Sequence, residues 1–201
     1  MFVVAGPPGS GKSTLFPVSR FHVDFFNADD RAAALNHGSY LGISAQTRRA
    51  VNAEFEQWVN GHISSRRSFA LETTLRSTVT FGQARQAQEA GFHTILYFIS
   101  AGSIQECLRR ILRRSYRGGH SASERLVTQI YEKSMRNLST ALIPSESGFE
   151  RVRILDNSRF GGFAVEVAAL LSGKLIRRAH PLPPWLKGTL AAGERPIGGV
   201  T

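Results

Sequence analysis

Residues 6–13 read GPPGSGKS, directly after the apolar run Phe2-Val3-Val4-Ala5 and directly before Thr14-Leu15-Phe16. The octet fits G-x-x-x-x-G-K-[ST], in which each fixed residue has a physical task. Glycines let the backbone curl until successive N–H groups converge on phosphate oxygens. A helix that starts at the end of the loop adds partial positive charge. Lys12 is placed to neutralise the β- and γ-phosphates, and the Ser13 hydroxyl to ligate Mg²⁺. The expected nucleotide-binding set is therefore Gly6, Pro7, Pro8, Gly9, Ser10, Gly11, Lys12, Ser13 and Thr14, with Ser13 as the metal ligand and Lys12 also catalytic. Pro17 would shorten or kink the helix after little more than one turn.

A strand, a phosphate loop and a helix start commit the chain to opening with a βα unit. Further apolar runs at 21–26, 68–71, 94–99 and 152–155 are short and rich in β-branched or aromatic residues, so they read as buried strands. Helical periodicity fills the gaps. Val51, Phe55, Trp58 and Val59 share a face within 44–63. Residues 79–90 stop before Gly91, Ile104 to Leu112 carry an apolar stripe, and 123–140 is amphipathic. Residues 163–172 read as a small apolar helix. The alternation predicts α/β architecture, with a parallel sheet of five strands covered on both faces. The body ends at 173, and 174–201 reads as a Pro/Gly-rich tail with a mobile end and Trp185 as an anchor.

At 201 residues, 42% of them hydrophobic, the chain can bury one proper core. No apolar run approaches the roughly 18 residues of a membrane span. No signal-peptide pattern opens the chain, and the single cysteine, Cys107, excludes an internal disulfide and a Cys-based zinc site. These features together predict a cytoplasmic protein. The net charge is +10, and arginine supplies 21 of the 25 basic residues. That composition suits anionic partners and bidentate phosphate contact. It also fits a merely solvated basic surface.

Three further segments deliver polar groups where strands should end. Strand two runs into Asn27-Ala28-Asp29-Asp30, where a carboxylate could accept a proton from a substrate hydroxyl. One aspartate could instead only cap the next helix; Asp29 is taken as functional and Asp30 as the cap. Strand three runs into Glu72-Thr73-Thr74-Leu75-Arg76. Here Glu72 could orient a hydroxyl or hold Mg²⁺ through water, and Arg76 could grip a phosphate. Thr73 or Thr74 could equally be a helix cap. On the helix from 104, Arg110, Arg113, Arg114 and Arg117 share one face and suit a lid supplying charge in the transition state. Gly118-Gly119 and His120, a candidate substrate contact, follow. Asp156-Asn157-Ser158 after strand five could line the nucleotide base or be a plain turn.

The ordered set GPPGSGKST, FFNADD, FALETTLR, RRSYRGGHSAS…IYEKSMRNL and ILDNS resembles the zeta-toxin family of P-loop kinases over roughly residues 1–160. The resemblance implies a doubly wound, mostly parallel five-stranded sheet with an Arg-rich helical lid, the kinase domain spanning 1–173. It implies ATP- and Mg²⁺-dependent phosphorylation of a hydroxyl on a nucleotide-activated amino sugar of the UDP-N-acetylglucosamine type. Asp29 matches the family's base, and Glu72 and Thr74 its substrate-binding residues. Its catalytic arginines fall among Arg110, Arg113 and Arg117. Thr73, Arg76 and His120 complete the expected substrate set. Some family members are toxins restrained by an antitoxin protein.

Two other functions compete. A kinase or ATPase acting on nucleic acid is favoured by the net charge. It is disfavoured by the absence of aromatic stacking residues in a basic groove. A nucleotide-binding switch without transfer shares the phosphate loop. ATP is preferred to GTP because no N/T-K-x-D guanine signature occurs.

Overall fold

The computed structural model describes residues 1–15, 21–40, 42–115, 123–159 and 163–193. The first strand, β1 (Phe2–Ala5), feeds the phosphate loop and a short helix α1 (Lys12–Leu15). Pro17 lies outside the described residues. Then come β2 (Asp24–Phe26), α2 (Ala28–Ala34), α3 (Ala45–Ser64), β3 (Phe69–Thr73), α4 (Val79–Glu89) and β4 (Ile95–Ser100). The second half holds α5 (Ile104–Ser115), α6 (Glu124–Ala141), α7 (Pro144–Ser147), β5 (Arg151–Asp156), β6 (Val165–Leu171), β7 (Lys174–Arg178) and α8 (Pro184–Gly193).

The strands form one sheet in the order β2-β3-β1-β4-β5-β6-β7. The first five pair in parallel, and β6 and β7 add antiparallel. The fold is thus α/β, mostly parallel, with its topological switch at β1. From β1 the chain moves left to β2, and every later parallel crossover moves right. Right-handed crossovers put those two directions on opposite faces of the sheet. The core reflects this. One face of the strands (Val3, Phe69, Leu71, Leu96, Phe98, Ile154) packs against α3, α4, α6 and α8 through Val59, Phe81, Ala84, Leu138 and Leu186. On the other face Val4, Ala70, Tyr97, Ile99 and Leu155 meet only strand and loop residues among those described, with Phe21 stacked on Phe2 at 4.5 Å.

Two expectations are corrected. Among the described residues the sheet has seven strands, not five, because residues 163–172 are not a helix but contain strand β6, and β7 follows it. A short apolar run cannot be assigned by periodicity alone, and the open edge of β5 decides in favour of a strand. The overlooked signal was Ser172-Gly173. Both residues have positive φ, +47° and +75°, as a two-residue type I′ turn requires. The segment after 173 forms β7 and α8 before the described residues end at 193. Trp185 fastens it: its indole N–H donates to Asp156 Oδ1 at 3.0 Å. Among the described residues no helix is long and apolar enough to cross a membrane.

Candidate active site

The phosphate loop sits at the carboxyl end of β1, pinned between β4 and α5. Gly6 has φ +143°, and a Cβ there would lie 2.1 Å from the Ile99 carbonyl oxygen. At Gly9, φ is +76° and a Cβ would come within 2.6 Å of the Cys107 carbonyl oxygen. Neither position admits a side chain without moving backbone. Lys12 is only 8% exposed. Its ammonium donates to the Gly6 and Pro7 carbonyl oxygens at 2.9 and 3.1 Å, folded back over the loop. Burial pulls its pKa down, while Glu72 and Asp29 pull it up. The Ser10 side chain turns inward rather than toward the mouth. It is fully buried, and its hydroxyl has no hydrogen-bond partner among the described residues.

Ser13 and Thr14 are exposed at the start of α1. The Ser13 hydroxyl donates to Glu72 Oε1 and Oε2 at 3.2 and 3.1 Å. Glu72 is the penultimate residue of β3 and stands in register with Val4 of β1, so adjacent parallel strands bring the pair together. Burial pushes the Glu72 carboxyl up, partly countered by Lys12 and the Ser13 hydrogen bond. A hydroxyl and a carboxylate side by side are hard oxygen donors that fit Mg²⁺. No cluster of three or more His, Cys, Asp or Glu suited to a metal occurs among the described residues. Such a sparse protein donor set suits an ion that completes its shell with phosphates and water.

Asp29 and Asp30 stand in the first turn of α2. The helix cap is neither of them. Asn27 is the N-cap, its Oδ1 accepting from the Asp29 and Asp30 backbone N–H groups at 3.0 and 3.3 Å. Asparagine one residue before the helix reaches both N–H groups, which a carboxylate inside the first turn cannot do. This corrects the assignment of Asp30. Asp30 instead accepts from the Tyr40 hydroxyl at 2.8 Å. Asp29 has Arg48 at 3.9 Å, with both side chains well exposed. Both aspartates lie near enough to Glu72 to raise its pKa further.

After β3, Thr73 Oγ1 accepts from the Leu75 N–H at 3.2 Å and Leu75 takes φ +57°. Thr73 therefore shapes the turn. Thr74 is half-buried and Arg76 exposed at the same edge. The N-cap of α4 is Thr78, not Thr73 or Thr74. The α5 arginines divide. Arg110 is turned inward, its Nε donating to Glu106 at 2.6 Å and an Nη to the Asn157 carbonyl oxygen at 2.7 Å. Arg114 is exposed; its charge adds slightly to the burial that lowers the Lys12 pKa and slightly opposes the Asp30 hydrogen bond that raises that of Tyr40. Arg113 is exposed on the same turn. Arg117 and His120 lie outside the described residues. Tyr40 and the reach of Arg114 are what sequence reasoning underweighted. Tyr40 has no motif, and four arginines on one face cannot be ranked without a tertiary neighbour.

A family model described as Zeta toxin matches residues 1–160. A guanylate kinase of Rubrobacter xylanophilus is 23% identical over 177 residues, covering 76% of this chain and 88% of that protein. Among solved structures, a chain from the PezAT chromosomal toxin-antitoxin system of Streptococcus pneumoniae superposes with a TM-score of 0.62 at 15% identity. The match covers 95% of this chain and 83% of that one. A chain from the AvrRxo1-ORF1:AvrRxo1-ORF2 structure with sulphate ions superposes with a TM-score of 0.59 at 14% identity, over 98% of this chain and 65% of that one. At such identities the two structures establish the shared fold.

Proposed function

The chain belongs to the Zeta toxin family and is a P-loop kinase, and from that premise we propose that it moves the γ-phosphate of ATP to a hydroxyl of a small anionic acceptor. The acceptor class is a nucleotide-activated amino sugar such as UDP-N-acetylglucosamine. The observation that carries the reading is the grouping of Lys12, Glu72 and Asp29 at the carboxyl ends of β1, β3 and β2, close enough for their charges to perturb one another.

Lys12 releases the loop carbonyls and turns to the β- and γ-phosphates. Ser13 and Glu72 are the residues that would hold Mg²⁺, which when bound neutralises phosphate charge. Asp29 accepts the acceptor hydroxyl's proton as that oxygen forms its bond to the γ-phosphorus and the bond to the ADP oxygen breaks. Thr74, Thr73 and Arg76 would bind the acceptor from the β3 edge, and Arg113 would add positive charge from α5; Arg117 and His120 are assigned to the same substrate set from the sequence alone. Three carboxylates (Asp29, Asp30 and Glu72) on the acceptor side suit a hydroxyl, which needs a base. They suit poorly a phosphate acceptor of the kind that the name of the guanylate kinase relative denotes, since a phosphate there would meet like charge. A restraining antitoxin partner is part of the proposal, supported by the fold shared with a toxin-antitoxin chain.

Incubation with γ-labelled ATP, Mg²⁺ and either UDP-N-acetylglucosamine or a metabolite extract, followed by mass detection, tests the reading. A singly phosphorylated nucleotide sugar is expected. Label transfer only to nucleoside monophosphates or oligonucleotides, or ATP binding with no transfer to any metabolite, would overturn it.

A further inference from the structure

Asp156-Asn157-Ser158, at the end of β5, has no task in the transfer described so far. The structure gives it one. The Asn157 side chain is buried, the residue being 6% exposed. Its amide Nδ2 donates to the carbonyl oxygen of Ser10 at 2.8 Å, a contact across 147 residues of sequence into the middle of the phosphate loop. Two bonds hold the Asn157 backbone for this, and a third fixes one of its partners. Its backbone N–H donates to the Ser100 carbonyl oxygen at 2.7 Å. Its own carbonyl oxygen accepts from Arg110 at 2.7 Å. Arg110 is in turn fixed by Glu106 at 2.6 Å, with side-chain exposures of only 16% and 11% for the pair.

The peptide joining Ser10 to Gly11 is planar and trans, so its C=O and N–H point in opposite directions. With the Ser10 carbonyl drawn to Asn157, the Gly11 N–H is aimed away from Asn157. The Ser10 N–H is meanwhile taken by the Pro7 carbonyl oxygen at 3.2 Å. We infer that Asn157 is a positioning residue for the phosphate loop: by fixing the Ser10 carbonyl it aims the Gly11 N–H at the phosphates of a bound nucleoside triphosphate. Arg110, expected as a lid arginine, acts here through Asn157 as a strut. The inference deepens the kinase reading and rests on it.

Binding of MgATP and MgGTP to the full chain is measured by equilibrium titration for wild type, Asn157→Asp and Asn157→Ala, alongside thermal unfolding. At pH 8 the Asn157→Asp carboxylate faces a carbonyl oxygen it cannot donate to, and nucleotide affinity falls roughly tenfold or more. Burial raises the pKa of such a carboxyl. By pH 5 its proton can donate to the Ser10 carbonyl, so the gap to wild type closes. Asn157→Ala, with no proton to offer, loses affinity by several-fold, about equally at both pH values. A purely structural role would lower the thermal midpoint of both variants without this pH-dependent recovery. Wild-type affinity in Asn157→Asp at pH 8, or a loss that does not recover at pH 5, overturns the inference. If Asn157→Asp does not fold, Arg110→Met decides. It is expected to weaken affinity about threefold through the lost strut, and wild-type affinity in both it and Asn157→Ala overturns the inference. A wild-type chain that binds neither nucleotide removes the kinase reading itself, an outcome separate from any difference between variants.

Discussion

The proposed donor half and the proposed acceptor half of the site are built in opposite ways. The phosphate loop is nine consecutive residues, buried around Lys12, wedged against β4 and α5 so tightly that Gly6 and Gly9 cannot carry a Cβ. The acceptor half is assembled from three segments spread over positions 29 to 114. Asp29 comes from α2, Glu72 and Thr74 from the end of β3, and Arg114 from α5, and its side chains are largely half-buried or exposed. A preformed donor cradle beside an open acceptor edge allows one nucleotide and leaves the acceptor to be selected by a few adjustable side chains. Among the described residues the two halves are joined by the Ser13 hydroxyl, which donates to Glu72.

Changes on either side should separate cleanly if this division holds. Asp29→Asn, on the acceptor side, should lower kcat by about 10³-fold while leaving ATP affinity within about twofold. Parallel loss of both, in steady-state kinetics and titration, would merge the halves. Lys12→Ala should do the reverse, weakening ATP binding by about 10²-fold or more. Its thermal midpoint should be unchanged or higher. Burial holds the Lys12 pKa below its unfolded value, so the charged ammonium costs stability at neutral pH, and a neutral side chain removes that cost. A clearly lower midpoint by scanning calorimetry would show that the loop depends on Lys12 for its shape.

Glu72→Gln probes the junction with a smaller effect. The folded Glu72 pKa is raised from 4.5 by burial. The folded state therefore holds that proton more tightly, and stability falls as pH climbs from 4.5 through the folded value. Wild type and Glu72→Gln should unfold alike below that window and diverge above it in thermal unfolding, the variant being the more stable. Identical pH profiles would mean Glu72 is not desolvated as the structure has it. The smallest effect concerns Cys107, whose carbonyl backs Gly9. Burial pushes its thiol up to about 11, so a disulfide reagent at pH 8 should leave the native protein unlabelled and label it after unfolding. Rapid native labelling would show that α5 lifts from the loop.

The donor half was legible in the sequence because its specification is local. Glycine freedom, the lysine and the helix start act within nine residues, and the preceding strand confirms them. For the proposed acceptor half, the segments that gather at one sheet edge were legible, since parallel strands deliver their carboxyl-terminal residues there whatever the loops do. Roles within those segments were not. Asn27 rather than Asp30 caps α2 because a cap depends on which residue sits half in the helix. Arg110 rather than Arg114 turns inward because Glu106 lies four residues before it and the Asn157 carbonyl waits across the interface.

By itself, then, the sequence determined a βα opening, a mostly parallel sheet, and a phosphate-loop motif ending at Lys12 and Ser13. These follow from backbone sterics and from patterns of strand, glycine loop and helix start that lie within a few residues of one another. The tertiary structure alone decided that 165–171 is a strand, that Ser13 faces Glu72, and that Asn157 reaches the Ser10 carbonyl. Each of these depends on an unpaired edge or a buried polar group finding its partner across the fold, and burial makes that pairing compulsory.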